Sequence, residues 1–304
     1  MKVNRTVDGM LLGGDVTGSR KTAALLIHGL GGTEHELRLV EKTLKGEGYE
    51  TKCAILPGHG TRPEDLVGVR FEHWLEAVSV QYLELRARYE TVHIVGMCMG
   101  ALLALALSQL IGDRRGKVVA LAAPVFLDGW SLPWYRRLRH VAYHFPRLRD
   151  NFRVKESEPF GVKNGVLRAA IKARFLRGDT FHYSWTPLAC IRELDRLRRY
   201  VRKRVRRIAR PALIIHARED ELTSLRSAYF LSQRIHAAKL LVVDESYHML
   251  SIDNDRRLVA NTVAQFLGED DNDEQGFGTS LTSVFPEPAN EPFEGLVGVS
   301  LATE

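Results

Sequence analysis

The sequence predicts an α/β architecture: a mostly parallel central sheet flanked by helices, with a helical cap insertion. Three observations predict it. Short apolar runs alternate with helix-like segments from Lys21 to Gly268. Several of those runs end in Gly- or Pro-rich turns, and residues 125–210 break the rhythm with a long basic stretch. Strands separated by helices make a parallel sheet covered on both faces.

Taken in order, "TAALLIH" (22–28) is a buried strand that runs into the turn "GLGG". Residues 35–48 read as a helix stopped by Gly46 or Gly48, and "YETKCAIL" (49–56) as a strand stopped by "PGHG". "FEHWLEAVSVQYLELRARY" (71–89) is an amphipathic helix, and "VHIVG" (92–96) is the next strand. The helix carrying "ALLALALSQLI" is apolar almost all round, which predicts burial against the sheet. "KVVALAA" (117–123), "PALIIHA" (211–217) and "AKLLVVD" (238–244) are further strands, and "DRRLVANTVAQFLG" (255–268) is a closing helix.

Charge divides the chain. Residues 125–210 hold 22 Lys/Arg against 7 Asp/Glu, whereas residues 269–304 hold 9 acidic side chains and no basic one. The expected organisation is therefore a core of 1–124 and 211–268, a basic helical cap at 125–210, and an acidic, disordered tail at 269–304. Within 192–210, Leu194, Leu197, Val201, Val205 and Ile208 form one apolar stripe on an otherwise basic helix. A basic cap over a site attracts anionic substrates or an anionic membrane surface. Trp130, Trp134 and Tyr135, beside Arg136 and Arg137, either meet such a surface or line a pocket beneath the cap. Nucleic-acid binding is not expected, because the charge comes with no recognition motif.

Residues 1–20 contain no continuous apolar segment, and nothing later approaches the roughly 18 apolar residues of a membrane span. Cys53, Cys98 and Cys190 are an odd set without Cys-x-x-Cys spacing, so neither a disulfide framework nor a structural zinc site is expected. A cytoplasmic protein without metal or cofactor is the simplest expectation.

The chemistry centres on "GMCMG" (96–100), a Gly-X-Cys-X-Gly turn between a strand and a helix. That arrangement is a nucleophile elbow: the glycines let strand and helix pass close to a strained residue, and the side chain stands at the helix N-terminus, where N–H groups favour the thiolate. The elbow demands the order nucleophile, acid, histidine along the chain. Asp220 in "LIIHARED" follows one late strand and His248 in "LVVDESYHML" follows the next, with Glu219 and Glu221 as competitors for the acid. Cys98, Asp220 and His248 are the candidate triad. The oxyanion would be held by the N–H groups of Met99, after the nucleophile, and of Leu30, in "IHGLGG". His28 and His59 read as residues that pack and orient their turns.

Together "HGLGG", "LPGHG", "GMCMG", "ARED" and "SYHML" make the chain resemble the α/β-hydrolase superfamily over roughly residues 20–268. Within it the chain resembles small carboxylesterases and monoacylglycerol-lipase-like enzymes of the serine aminopeptidase S33 type. The resemblance implies a helical cap, acyl-chain binding beneath it, no cofactor, and the roles just given for Cys98, Asp220, His248, Leu30 and Met99. The departure is the nucleophile, since these esterases carry serine where this chain has Cys98.

A cysteine would make the acyl-enzyme a thioester, which remains a good acyl donor. The leading expectation is a hydrolase of acyl esters or thioesters that works through an acyl-cysteine. The alternatives are an acyltransferase using an amine, alcohol or thiol acceptor, and a catalytically silent ligand-binding protein. Cys98 as an engineered replacement of serine stays open as well. The sequence gives no oligomeric state.

Overall fold

The computed structural model describes residues 22–112, 114–178 and 181–269. The N-terminal 20 residues and the acidic tail beyond Glu269, where disorder was expected, lie outside the described residues.

In chain order, β1 (Thr22–Ile27) leads through a 3-10 turn to α1 (Arg38–Gly46), β2 (Glu50–Cys53) and α2 (Phe71–Arg86). Then come β3 (Thr91–Met97), α3 (Met99–Ile111) and β4 (Val118–Leu121). The insertion follows with α4 (Arg139–Ala142), α5 (Pro146–Asn151), β5 (Arg153–Lys155), α6 (Gly165–Arg177) and β6 (Trp185–Pro187). The chain closes with α7 (Leu188–Arg204), β7 (Ala212–Ala217), α8 (Arg226–Ser232), β8 (Ala238–Val243) and α9 (Arg256–Gly268).

Six strands form one sheet in the order β2-β1-β3-β4-β7-β8, and every pair in it is parallel. Alternation along β1 shows why these strands read as continuous apolar runs. Ala23, Leu25 and Ile27 point into one core with α2, α3 and α7, while Ala24 and Leu26 point into another with α1 and α9. Both faces are covered, so neither parity of the strand can be polar. The two short strands β5 and β6 pair antiparallel, apart from the main sheet.

The stripe foreseen on 192–210 is present but belongs to the body of the protein. Leu194, Leu197 and Val201 of α7, with Val205 and Ile208 after it, are buried in the same core as α3, and the Gln109 amide donates to the Val201 carbonyl at 3.2 Å. This helix therefore covers the sheet, and the segment that departs from the layered pattern is the one before it, between β4 and α7. The helix α8 was not foreseen. Its seven residues are too few to display a period.

Candidate active site

The turn after β3 is built by close approach. A Cβ on Gly96 would collide with the carbonyl of Gly100, and one on Gly100 would collide with the Ile27 and His28 carbonyls at the end of β1. Only glycine at both positions lets α3 start directly against the sheet. Between them, Cys98 is the N-cap of α3 with φ 54 and ψ −118, a left-handed conformation that L residues rarely adopt and that concentrates at functional turns. Its N–H is tied to the Leu121 carbonyl of β4 at 2.9 Å, so the strain is held from the neighbouring strand. Met99 is the first residue of α3, and the first N–H groups of a helix have no partner within it.

Asp220 and His248 come from the C-terminal ends of β7 and β8. His248 Nδ1 lies 2.8 Å from Asp220 Oδ2, and both residues are buried. The other oxygen of Asp220 accepts from the N–H groups of Leu222 and Thr223, both at 2.9 Å. Burial would raise this carboxyl, yet His248, His216 and the Thr223 N–H hold it below its ordinary value. His248 is shifted the other way. Burial opposes its charge, but Asp220 and the neighbouring Cys98 raise it well above an ordinary histidine. Its Nε2 is buried and makes no well-formed hydrogen bond. The pairing orients the ring so that one nitrogen faces the carboxylate and the other is left for the thiol's side.

Neither competing acid takes this position. The Glu219 side chain is exposed and meets Lys163 Nζ at 3.0 Å. Glu221 is buried and accepts the backbone N–H of His248 at 3.0 Å. Burial raises its pKa to about 7.

Leu30 stands in the loop after β1, and a carboxylate absent from the sequence-derived set fixes that loop. Glu36 is buried, accepts the Gly29 N–H at 2.7 Å, and fills the space beside Gly32. The point a Cβ on Gly29 would occupy lies 3.1 Å from Glu36 Oε2 and 3.2 Å from the Cys98 Cβ, so one glycine separates carboxylate from nucleophile. The sequence carried a signal for it: within 35–48, read as a helix, Glu36 recurs with Val40 and Leu44 every four residues, an acid in register with apolar positions. In the structure all three are buried, and Glu36 sits in the 3-10 turn before α1.

The insertion touches the same loops. Tyr183 donates its N–H to the Gly31 carbonyl at 2.8 Å and its hydroxyl to the Gly58 carbonyl at 2.9 Å. His182 Nε2 is 3.7 Å from Glu36 Oε1. Asp253 links the insertion to the histidine loop, accepting from Lys163 N–H at 2.6 Å and Tyr247 N–H at 3.1 Å through one oxygen and from Asn164 N–H at 3.0 Å through the other. His28 and His59 pack ring to ring, with centroids 5.1 Å apart. Burial, aided by the neighbouring His28, lowers His59 to about 3. Among the described residues no cluster of His, Cys, Asp and Glu has a metal-binding arrangement, and no helix is long and apolar enough to cross a membrane.

Known proteins share this architecture. The thermostable monoacylglycerol lipase of Bacillus sp. (strain H-257) is 27% identical over 247 residues, covering 81% of this chain and 90% of that protein. The carboxylesterase of Bacillus subtilis (strain 168) is 25% identical over 248 residues, covering 81% and 92%. Among solved structures, one from work on LipS and LipT, two metagenome-derived lipolytic enzymes, aligns with a TM-score of 0.69 at 22% identity, over 82% of this chain and 94% of that one. The monoacylglycerol lipase of Paleococcus ferrophilus aligns with a TM-score of 0.68 at 17% identity, over 82% and 94%. A family profile described as serine aminopeptidase, S33, matches residues 18–255. That match, which spans most of the chain, and the parallel sheet with its strand–turn–helix at Cys98 assign the chain to the serine aminopeptidase S33 family of α/β-hydrolases.

Proposed function

We propose that the protein hydrolyses acyl esters or thioesters through a Cys98–His248–Asp220 triad and an acyl-cysteine intermediate. One observation carries the reading: His248 is fixed by Asp220 at 2.8 Å, and its buried ring, with Nε2 left free by that pairing, neighbours the strained Cys98, which with Asp220 and against burial raises its proton affinity. The ester and monoacylglycerol chemistry named for the two Bacillus relatives supports the substrate class.

In this mechanism the Cys98 proton already resides on His248, whose affinity for it is raised, despite burial, by Asp220 and Cys98, and Sγ attacks the acyl carbon as the thiolate. The developing oxyanion is held by the N–H groups of Leu30 and Met99. His248 then gives the proton to the departing alcohol or thiol as its bond to the acyl carbon breaks. Water attacks the thioester and loses a proton to His248, which keeps it as the C–S bond breaks to release Sγ as the thiolate. Asp220 stays ionised throughout and stabilises the imidazolium in each half-reaction. Replacing Cys98 by Ala should abolish turnover of p-nitrophenyl esters in folded protein. Undiminished turnover would refute the role of the thiol.

Acyl transfer is a second reading, favoured by the sulfur itself. A thioester intermediate keeps more acyl-donor energy than the ester that a serine would form. Partition of product toward an added amine, alcohol or thiol, at constant total turnover, tests it.

A further inference from the structure

The insertion carries an apolar stripe on its outside. Trp134, Leu138, Val141, Phe145, Leu148 and Phe152 recur at alternating intervals of four and three residues, along a 3-10 turn (134–138), α4, a break at 143–145 and α5. All six are exposed, from 46% for Leu148 to 86% for Trp134. A stripe of this spacing ordinarily packs against the body of a protein, as α7 does here. This segment is instead anchored through its polar side. Arg139 Nε donates to Asp195 Oδ2 at 2.9 Å and the Tyr143 hydroxyl donates to the same oxygen at 2.8 Å, with Asp195 buried on α7. The segment is amphipathic and inverted, so its apolar face needs another surface.

Charge selects the occupant. Residues 130–155 contain seven Arg or Lys and a single acid, Asp150, which Arg149 Nε contacts at 2.6 Å. Arg137, Arg147 and Lys155 are exposed and interleave with the stripe or follow it. A second copy of the chain would set like charges against each other. An anionic bilayer offers both an apolar layer and negative headgroups at one boundary, where Trp is favoured. The surface also continues to the site. The Trp130 indole N–H donates to the Glu219 carbonyl at 3.1 Å, and its ring meets Tyr247, the neighbour of His248, edge-on at 5.7 Å.

We propose that the Trp134–Phe152 segment docks this chain onto an anionic lipid surface, with the apolar stripe entering the interface and the exposed arginines meeting the headgroups. The inference does not depend on which bond the site cleaves, because its test reads binding alone.

The test is flotation of the full chain with vesicles of phosphatidylcholine alone and of phosphatidylcholine mixed with phosphatidylglycerol. The expected result is partition that requires phosphatidylglycerol and weakens with added salt. A double variant Trp134→Ser with Phe145→Ser, and a second, Arg137→Glu with Arg147→Glu, should each lower partition by about tenfold or more, with thermal unfolding unchanged. Equal partition into both vesicle types, no partition, or variants that float like the parent chain would overturn the proposal. A dimer in sedimentation velocity that the apolar double variant abolishes would overturn it too, by giving the surface to a second copy. Loss of ester turnover together with intact flotation would count against the catalytic reading alone.

Discussion

Oδ2 of Asp220 lies 2.8 Å from Nδ1 of His248, and neither group is open to water. That contact turns Nδ1 to the carboxylate and, in the proposed mechanism, leaves Nε2 to serve Cys98. Asp220→Asn should therefore leave the fold in place and substrate binding nearly unchanged while lowering kcat by about 10³–10⁴-fold. Steady-state kinetics with a soluble p-nitrophenyl ester, reporting kcat and KM separately, checks it.

Glu36 holds the loop after β1, to which the proposed mechanism gives an oxyanion donor, by accepting the Gly29 N–H. Glu36→Ala strands that buried donor and should cost about 1–3 kcal/mol of stability, with kcat falling about tenfold or more as the loop loses its fixed geometry. Glu36→Gln keeps an acceptor and should recover most of the loss. Urea unfolding and kcat for the pair separate the two outcomes. Equal effects of both substitutions would show that the carboxylate's charge, rather than its hydrogen bond, is what matters.

Two buried groups should give opposite pH signatures. Burial, with the nearby Lys117 and Arg210 charges, lowers His93 to about 3. The unfolded chain therefore binds a proton that the folded chain refuses, and this contribution to stability is lost as pH falls from about 6.5 toward 3. Glu221 is raised to about 7 by burial and the neighbouring Asp220, although His248 opposes the shift. Here the folded chain keeps a proton that the unfolded chain releases, so stability is lost as pH rises from about 4.5 through 7. Each slope is limited to about 1.4 kcal/mol per pH unit. Urea unfolding across this range should show that His93→Gln flattens the loss of stability on the acid side and Glu221→Gln flattens the loss of stability toward neutrality.

His248 adds a further term. Despite the opposing effect of burial, Asp220 and Cys98 raise its proton affinity well above that of an ordinary histidine. Its stabilising contribution is complete below about pH 6.5 and is lost as pH climbs through the raised folded value. Histidine titration followed by NMR should place His248 as the most basic imidazole among those resolved. A ring that titrates at or below the ordinary value would contradict the buried ion-pair geometry.

The strands and elbow were legible because their physics is local. A strand covered on both faces must be a short apolar run, and Gly96 and Gly100 are forced by the strand–helix crossing. The juxtaposition of Asp220 and His248 was legible because each stands just beyond the end of one of two neighbouring strands. Direction was harder to read. Periodicity grouped Leu194, Leu197 and Val201 and could equally have grouped Trp134, Leu138 and Val141, but period alone does not say which group faces inward. Only the polar anchor at Asp195 reveals that the second set points out. Glu36 was missed for a related reason: an acid in an apolar stripe looks like an error in the pattern until the loop whose N–H it accepts is brought against it.

The most direct test of the central claim is intact-mass spectrometry after brief exposure to a p-nitrophenyl ester, on the parent protein and on Cys98→Ala. The account predicts a transient adduct of one acyl group that maps to Cys98, decays as acid is released, and is absent from the alanine protein. Turnover that persists in Cys98→Ala, or an adduct on any other residue, would contradict it.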